Sequence, residues 1–292
     1  MKTRFFIILL SVVLLSPHTA AQKTARKARL KVGLVLGGGG AKGAAEIGVL
    51  KVLEQTGIPI DYIAGTSIGS IVGGLYSLGY RSAELDTLFR SQQWTNLFKK
   101  EITKGRGILQ LLDSLTNVGD SINFNEMPIP FRCVAVDVNE MQEVVLDRGS
   151  LPLCMRASMA IPGAFKAVRI NGRKLVDGGV LNNLPVDVVR EMGADVVIAV
   201  DLQQNKHKTR DFSLREVFGI GGILDWLISR PDWRKYNDNR ADADIHINPD
   251  LDDFDVMSFS AASIADMIVI GEQAATQQLG ELKTLKKRIY RR

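Results

Sequence analysis

The stretch Leu34–Leu50, LVLGGGGAKGAAEIGVL, decides the fold. Its first residues belong to the run Lys31-Val-Gly-Leu-Val-Leu36, which is short, apolar and reads as a buried strand. From Gly43 to Gln55, the residues Ala44, Ile47, Leu50 and Leu53 recur at helical spacing, and Gly57 and Pro59 close the pattern. Between strand and helix stand four consecutive glycines, Gly37 to Gly40. Each glycine is entropically costly, and a strand-to-helix turn needs one or two at most. The run therefore marks bare backbone that something approaches closely: a phosphate, a dinucleotide, or the oxyanion of a reacting carbonyl.

Outward from this point, strand-like and helix-like segments alternate. Ile60–Ala64 reads as a second strand and Ser67–Leu78 as a glycine-rich helix, followed by helix-compatible sequence over Arg81–Lys100. Phe131–Val136 and Glu143–Leu146 read as paired strands, Leu151–Met159 as a helix, and Lys174–Val176 as a strand running into Asp177-Gly178-Gly179. Val186–Met192 is helical, Asp195–Val200 is a strongly apolar strand, and one long helix is expected over Ser263–Arg288. Alternation of this kind, with strands apolar throughout, predicts an α/β fold with a largely parallel sheet covered on both faces. No linker divides residues 31–292, which read as one domain with a peripheral segment near 203–243.

Two of the three glycine readings fail on their neighbours. Gly38-x-Gly40-x-x-Gly43 matches a dinucleotide fingerprint, but that fingerprint wants an acidic residue at the end of the next strand. Asp61 stands at its beginning. A phosphate loop needs Gly-Lys-Ser/Thr, whereas Lys42 lies between Ala41 and Gly43.

The second strand ends in Gly65-Thr66-Ser67-Ile68-Gly69, a nucleophile-elbow pattern in the right strand-to-helix context. In adjacent parallel strands both loops emerge at the same carboxyl edge, where open α/β sheets bind ligands. The amides of Gly38, Gly39 and Gly40 are then placed to meet an oxyanion on a carbonyl attacked by Ser67. A serine nucleophile needs a proton acceptor. His207 lies in a basic polar stretch, and His246 lies in an alternating segment that would complete a Ser67–Asp201–His246 order. Asp177 is the stronger candidate: it leaves a strand end with Gly178 and Gly179 beside it, and burial would raise its basicity.

Together GGGGAKG, GTSIG and DGG, with the intervening SLPLCMRASMAIPGAF and LNNLPVDVVREMGADVVIAVD, resemble the patatin-like phospholipase family, especially bacterial members related to neuropathy target esterase. The resemblance covers about Lys31 to Asp201. It implies a three-layer α/β/α sandwich and a Ser67–Asp177 dyad. It also implies an oxyanion hole from Gly38, Gly39 and Gly40, supported by Lys42, Gly43, Gly65, Gly69, Gly178 and Gly179. The implied activity is hydrolysis of phospholipids, lysophospholipids or other acyl-ester lipids through an acyl-serine, without metal or other cofactor. Two departures stand out. Glu46 replaces a histidine common in bacterial relatives, on a helix face expected to point away from the motif's amides. The segment from Trp94 to Leu109 is shorter than usual.

The ends carry different information. Lys2 and Arg4, the apolar run Phe5–Leu15 and the small residues Thr19-Ala20-Ala21 read as a secretory signal peptide over 1–21, and a run of that length is too short to span a bilayer. A periplasmic or secreted protein is the expectation. Loss of Lys2 and Arg4 with the leader takes the net charge from +5 to +3, too weak an excess for a global nucleic-acid role. Basic residues crowd both mature ends, in the segment 22–30 with the adjoining Lys31 and from Lys283 to Arg292, and suggest contact with an anionic membrane surface. Cys133 and Cys154, the two cysteines of the chain, sit in apolar surroundings, where one disulfide and two buried free thiols are both open readings.

Overall fold

The structure, a computed structural model, describes residues 29–94, 96–97, 106–203 and 233–290. Strand β9, Val196–Val200, explains the layering. All five of its side chains are buried. Val196, Ile198 and Val200 enter one apolar core, while Val197 and Ala199 enter another on the opposite face. A strand with period-two side chains and no polar position must have both faces covered. The first core is roofed by helices α1 (Ala44–Thr56), α2 (Ile68–Ser77) and α8 (Ala261–Gln277). The second is roofed by α6 (Val186–Glu191) and α7 (Trp233–Asp242). The result is the expected three-layer α/β/α sandwich.

Strands β10 (Ile245–Ile247), β9, β1 (Val32–Leu36), β2 (Tyr62–Thr66) and β4 (Phe131–Asp137) lie side by side and parallel. Beyond them the sheet turns antiparallel: β8 (Arg173–Asp177) pairs with β4, β7 (Val168–Ile170) pairs with β8, and β5 (Gln142–Leu146) returns along β4. The register on β4 is consequential. β2 runs up to Thr66 opposite Val134, and β8 runs the other way to Asp177 opposite Ala135. Two strand ends thus meet head-on beside consecutive residues of one neighbour.

Four expectations need amending. The closing helix is two helices, α8 and α9 (Leu279–Ile289), separated at Gln278, whose ψ of 5° leaves the helical region. The break turns Leu282, Leu285 and Ile289 onto the same core as Ile264, Met267 and Ile268. The helix-compatible sequence over Arg81–Lys100 is interrupted: Ser82–Ser91 forms α3, the chain breaks at Gln92 and Gln93, and Trp94, Asn96 and Leu97 are helical again, with Trp94 Nε1 donating to the Phe89 carbonyl at 2.7 Å. Of the segment expected to be peripheral, residues 204–232 lie outside the described residues, while α7 is built into the second core through Tyr236. Finally, Arg29 and Lys31 do not present a free basic end, because both pair with Asp61, at 2.6 and 3.1 Å. Cys133 and Cys154 are buried free thiols.

Candidate active site

The elbow is strained and braced. Ser67, between β2 and α2, has φ 54° and ψ −123°, a conformation that costs a non-glycine residue about 1–3 kcal/mol. Its amide donates to Ser158 Oγ at 2.9 Å, and Ser158 Oγ in turn donates a hydrogen bond to the Val134 carbonyl at 2.6 Å. Its carbonyl accepts from the Ser70 amide and from Ser70 Oγ, at 2.9 and 2.6 Å. The flanking glycines are steric requirements. A Cβ on Gly69 would lie 2.3 Å from the Leu36 carbonyl oxygen, and one on Gly65 would lie 2.3 Å from that of Gly69. The elbow therefore rests directly on the end of β1, and Gly43 leaves room beneath for the Ile68 side chain.

The head-on meeting of β2 and β8 brings Ser67 and Asp177 together. Ser67 Oγ donates to Asp177 Oδ2 at 2.7 Å, and the Gly179 amide donates to Oδ1 at 2.8 Å. One carboxylate oxygen is thus fixed by backbone while the other faces the hydroxyl. Gly178 lies flat on the Val134 carbonyl. Asp177 is buried, and desolvation pushes its pKa up from 3.8 to about 6, against the opposing pull of the Gly179 and Ser67 hydrogen bonds. A carboxylate so placed is a usable proton acceptor near neutral pH.

The glycine loop adjoins this pair: a Cβ on Gly38 would come within 3.1 Å of Ser67 Cβ. Its amides are not equivalent. Gly37 donates to the Val200 carbonyl and Gly38 to that of Asn183, at 3.1 and 3.2 Å. Ala41 donates to the Val256 carbonyl at 2.9 Å. The amides of Gly39 and Gly40 find no acceptor among the described residues. Gly40 adopts φ +59° and lies against Val256, leaving no space for a side chain. Lys42 is buried within the short 3-10 turn Gly40–Gly43.

The other expected residues lie elsewhere. His246 bonds Asp201 Oδ2 through Nε2 at 2.9 Å, and Tyr236 donates to the same oxygen at 2.6 Å. Ser67 is held instead by Asp177. His207 lies outside the described residues. Asp61 is engaged by Arg29, Lys31 and the Val32 amide. Glu46 does not point away from the loop's surroundings. It is fully buried with no hydrogen-bond partner among the described residues, and desolvation drives its pKa well up, the nearby Gly37 amide pulling the other way. That amide already serves Val200. Being on the first turn of α1, Glu46 follows the glycine loop too closely to escape the core.

Sequence reasoning missed three supporting residues. Ser158 braces the elbow. Asn182 accepts from Thr66 Oγ1 at 2.8 Å, and Asn183 donates from Nδ2 to the Gly38 carbonyl at 3.0 Å. All three lie in the stretches SLPLCMRASMAIPGAF and LNNLPVDVVREMGADVVIAVD that carry the family resemblance, but apart from the polar Asn-Asn pair soon after Asp177 no local pattern marks them.

The chain belongs to the patatin-like phospholipase family, a family of lipid hydrolases, whose model matches residues 34–190. It is 35% identical over 220 residues to the mouse patatin-like phospholipase domain-containing protein 7, a match covering 70% of this chain and 15% of that one. It is 37% identical over 207 residues to the lysophospholipase NTE1 of Mycosarcoma maydis, covering 64% of this chain and 10% of that protein. An uncharacterized NTE family protein of Mycobacterium tuberculosis is 35% identical over 191 residues, 64% of this chain and 53% of that one. The match thus spans little more than half of even the mycobacterial relative. Among solved structures, VipD from Legionella pneumophila has a TM-score of 0.52 at 13% identity, over 87% of this chain and 67% of that one. ExoU in its complex with SpcU from Pseudomonas aeruginosa has 0.53 at 16%, over 88% and 52%. These two likenesses concern the fold.

Proposed function

We propose that this protein is an exported serine lipid acyl hydrolase, of phospholipase A or lysophospholipase type, working through a Ser67–Asp177 dyad. The observation that carries the reading is the 2.7 Å hydrogen bond from Ser67 Oγ to a buried Asp177 carboxylate, at a strained elbow. In the first step Oγ attacks the ester carbonyl as its proton passes to Asp177 Oδ2. The oxyanion meets the Gly39 and Gly40 amides, with Gly38 holding the loop. Collapse expels the alcohol, which takes the proton from Asp177, and leaves an acyl-serine. Water then attacks, giving its proton to Asp177, and release of the fatty acid returns that proton to Ser67. The substrates are phospholipids, lysophospholipids or related acyl esters, met at an anionic membrane surface outside the cytoplasm. Export rests on the leader-like residues 1–21.

The test is hydrolysis of a short-chain p-nitrophenyl ester and of lysophosphatidylcholine by the wild type, Ser67→Ala, Asp177→Asn and His246→Ala. Loss in the first two variants with retention in the third is the expected pattern. Loss in a folded His246→Ala would restore a histidine base, and an inert wild type would sink the hydrolase reading. Export is checked separately, by the N-terminal sequence of the mature protein.

A further inference from the structure

Asn183 is buried six positions after Asp177 and grips Gly38 twice. Its backbone carbonyl accepts from the Gly38 amide at 3.2 Å, and its side-chain Nδ2 donates to the Gly38 carbonyl at 3.0 Å. A carbonyl oxygen can only accept, so the amide nitrogen of Asn183 must face it. A trans peptide is planar, and the carbonyl of one residue points opposite to the N–H of the next. Holding the Gly38 carbonyl therefore aims the Gly39 amide. Asn183 also reaches the loop that carries the base: its Oδ1 lies 2.3 Å from where a Gly38 Cβ would stand and 2.7 Å from that of Gly179. The preceding Asn182 carbonyl holds Thr66, beside the nucleophile. One segment thus touches the glycine loop, the elbow and the aspartate turn.

We propose that Asn183 is a positioning residue: its side-chain amide sets the Gly38–Gly39 peptide plane and so aims the Gly39 N–H at the oxyanion formed on Ser67. The inference rests on the hydrolase reading above. It assigns the loop's geometry to a side chain outside the three motifs. The backbone half of the clamp survives any substitution, so the side-chain half can be tested alone.

The experiment compares the wild type with Asn183→Ala and with Asn183→Leu, which keeps the volume should the smaller side chain unfold the protein. Circular dichroism and thermal melting establish folding. With a p-nitrophenyl ester, kcat should fall roughly 10- to 100-fold, less than or near the loss of a whole oxyanion donor elsewhere, while KM stays within about threefold. An alkyl trifluoromethyl ketone forms a hemiketal oxyanion on serine, so its Ki should rise in proportion to the loss of kcat/KM. A structural defect that merely lowers the active fraction would leave that Ki unchanged. A folded variant with kcat/KM within about threefold of wild type, or with the loss confined to KM, overturns the proposal. If the wild type hydrolyses no ester, the hydrolase reading fails, but the clamp is still read by hydrogen exchange at the Gly37–Ala41 amides. Faster exchange in the variants upholds it, and unchanged protection overturns it.

Discussion

Replacing Asp177 with asparagine should abolish turnover and stabilise the protein, with a pH signature that identifies the cause. The side chain is buried and its carboxyl accepts from the Gly179 amide and Ser67 Oγ. Asparagine keeps both contacts in reversed polarity at one of them, since its Nδ2 can donate to Ser67 Oγ. What it removes is an ionisable group whose folded pKa, about 6, exceeds the ordinary aspartate value of 3.8. The sign follows from linkage: below the unfolded pKa the group costs nothing, and the cost grows as pH rises through the folded pKa. About two pKa units at ~1.36 kcal/mol each give about 3 kcal/mol at pH 8, and a little over half of that at pH 5. Urea denaturation of both proteins at pH 5, 6 and 8 should therefore show a gap that widens by about 1.4 kcal/mol across the range. Parallel pH profiles would refute the desolvated-carboxylate argument. Turnover above about 1% of wild type would refute the role of Asp177 as base.

Further expectations follow from the same geometry. For the wild type, kcat/KM on a soluble ester should rise as pH passes about 6 and then level, because Asp177 must be ionised to accept the Ser67 proton; a flat profile from pH 5 to 8 would contradict this. Ser158→Ala leaves the Ser67 amide and the Val134 carbonyl without their shared partner. It should cost about 1–3 kcal/mol in urea denaturation, and kcat should fall with it. Gly69→Ala forces a Cβ to within 2.3 Å of the Leu36 carbonyl, so a loss of at least about 3 kcal/mol is expected, read as a fall in melting temperature or in soluble yield. Glu46→Leu removes a buried acid that has no hydrogen-bond partner among the described residues. Because the folded pKa of Glu46 is raised well above 4.5, the wild type loses stability as pH rises from that value. The leucine variant should melt higher, by a margin that grows from pH 5 to pH 8, and an equal margin at both would count against it.

Much of this architecture is legible in the chain. Strands apolar at every position, such as Val196–Val200, require cover on both faces whatever the topology. The motifs GGGGAKG and GTSIG mark their turns locally, because only glycine permits backbone to lie on backbone there. The sequence itself therefore determined the layered α/β class, the elbow serine and the loop of bare amides. Which amides of that loop are engaged was decided by the partners that tertiary contact supplies: Val200 takes Gly37, Asn183 takes Gly38, and Gly39 and Gly40 are left without an acceptor among the described residues. The direction of β8 was likewise beyond local pattern, since a short apolar strand reads the same parallel or antiparallel. Only its antiparallel pairing with β4 carries Asp177 head-on to the end of β2 and within 2.7 Å of Ser67. Burial of Glu46 and the break at Gln278 belong to the same class, because helical spacing says where a side chain points on its own helix and not what closes over it. Composition and spacing are properties of the chain alone, whereas register and desolvation arise only when distant segments meet.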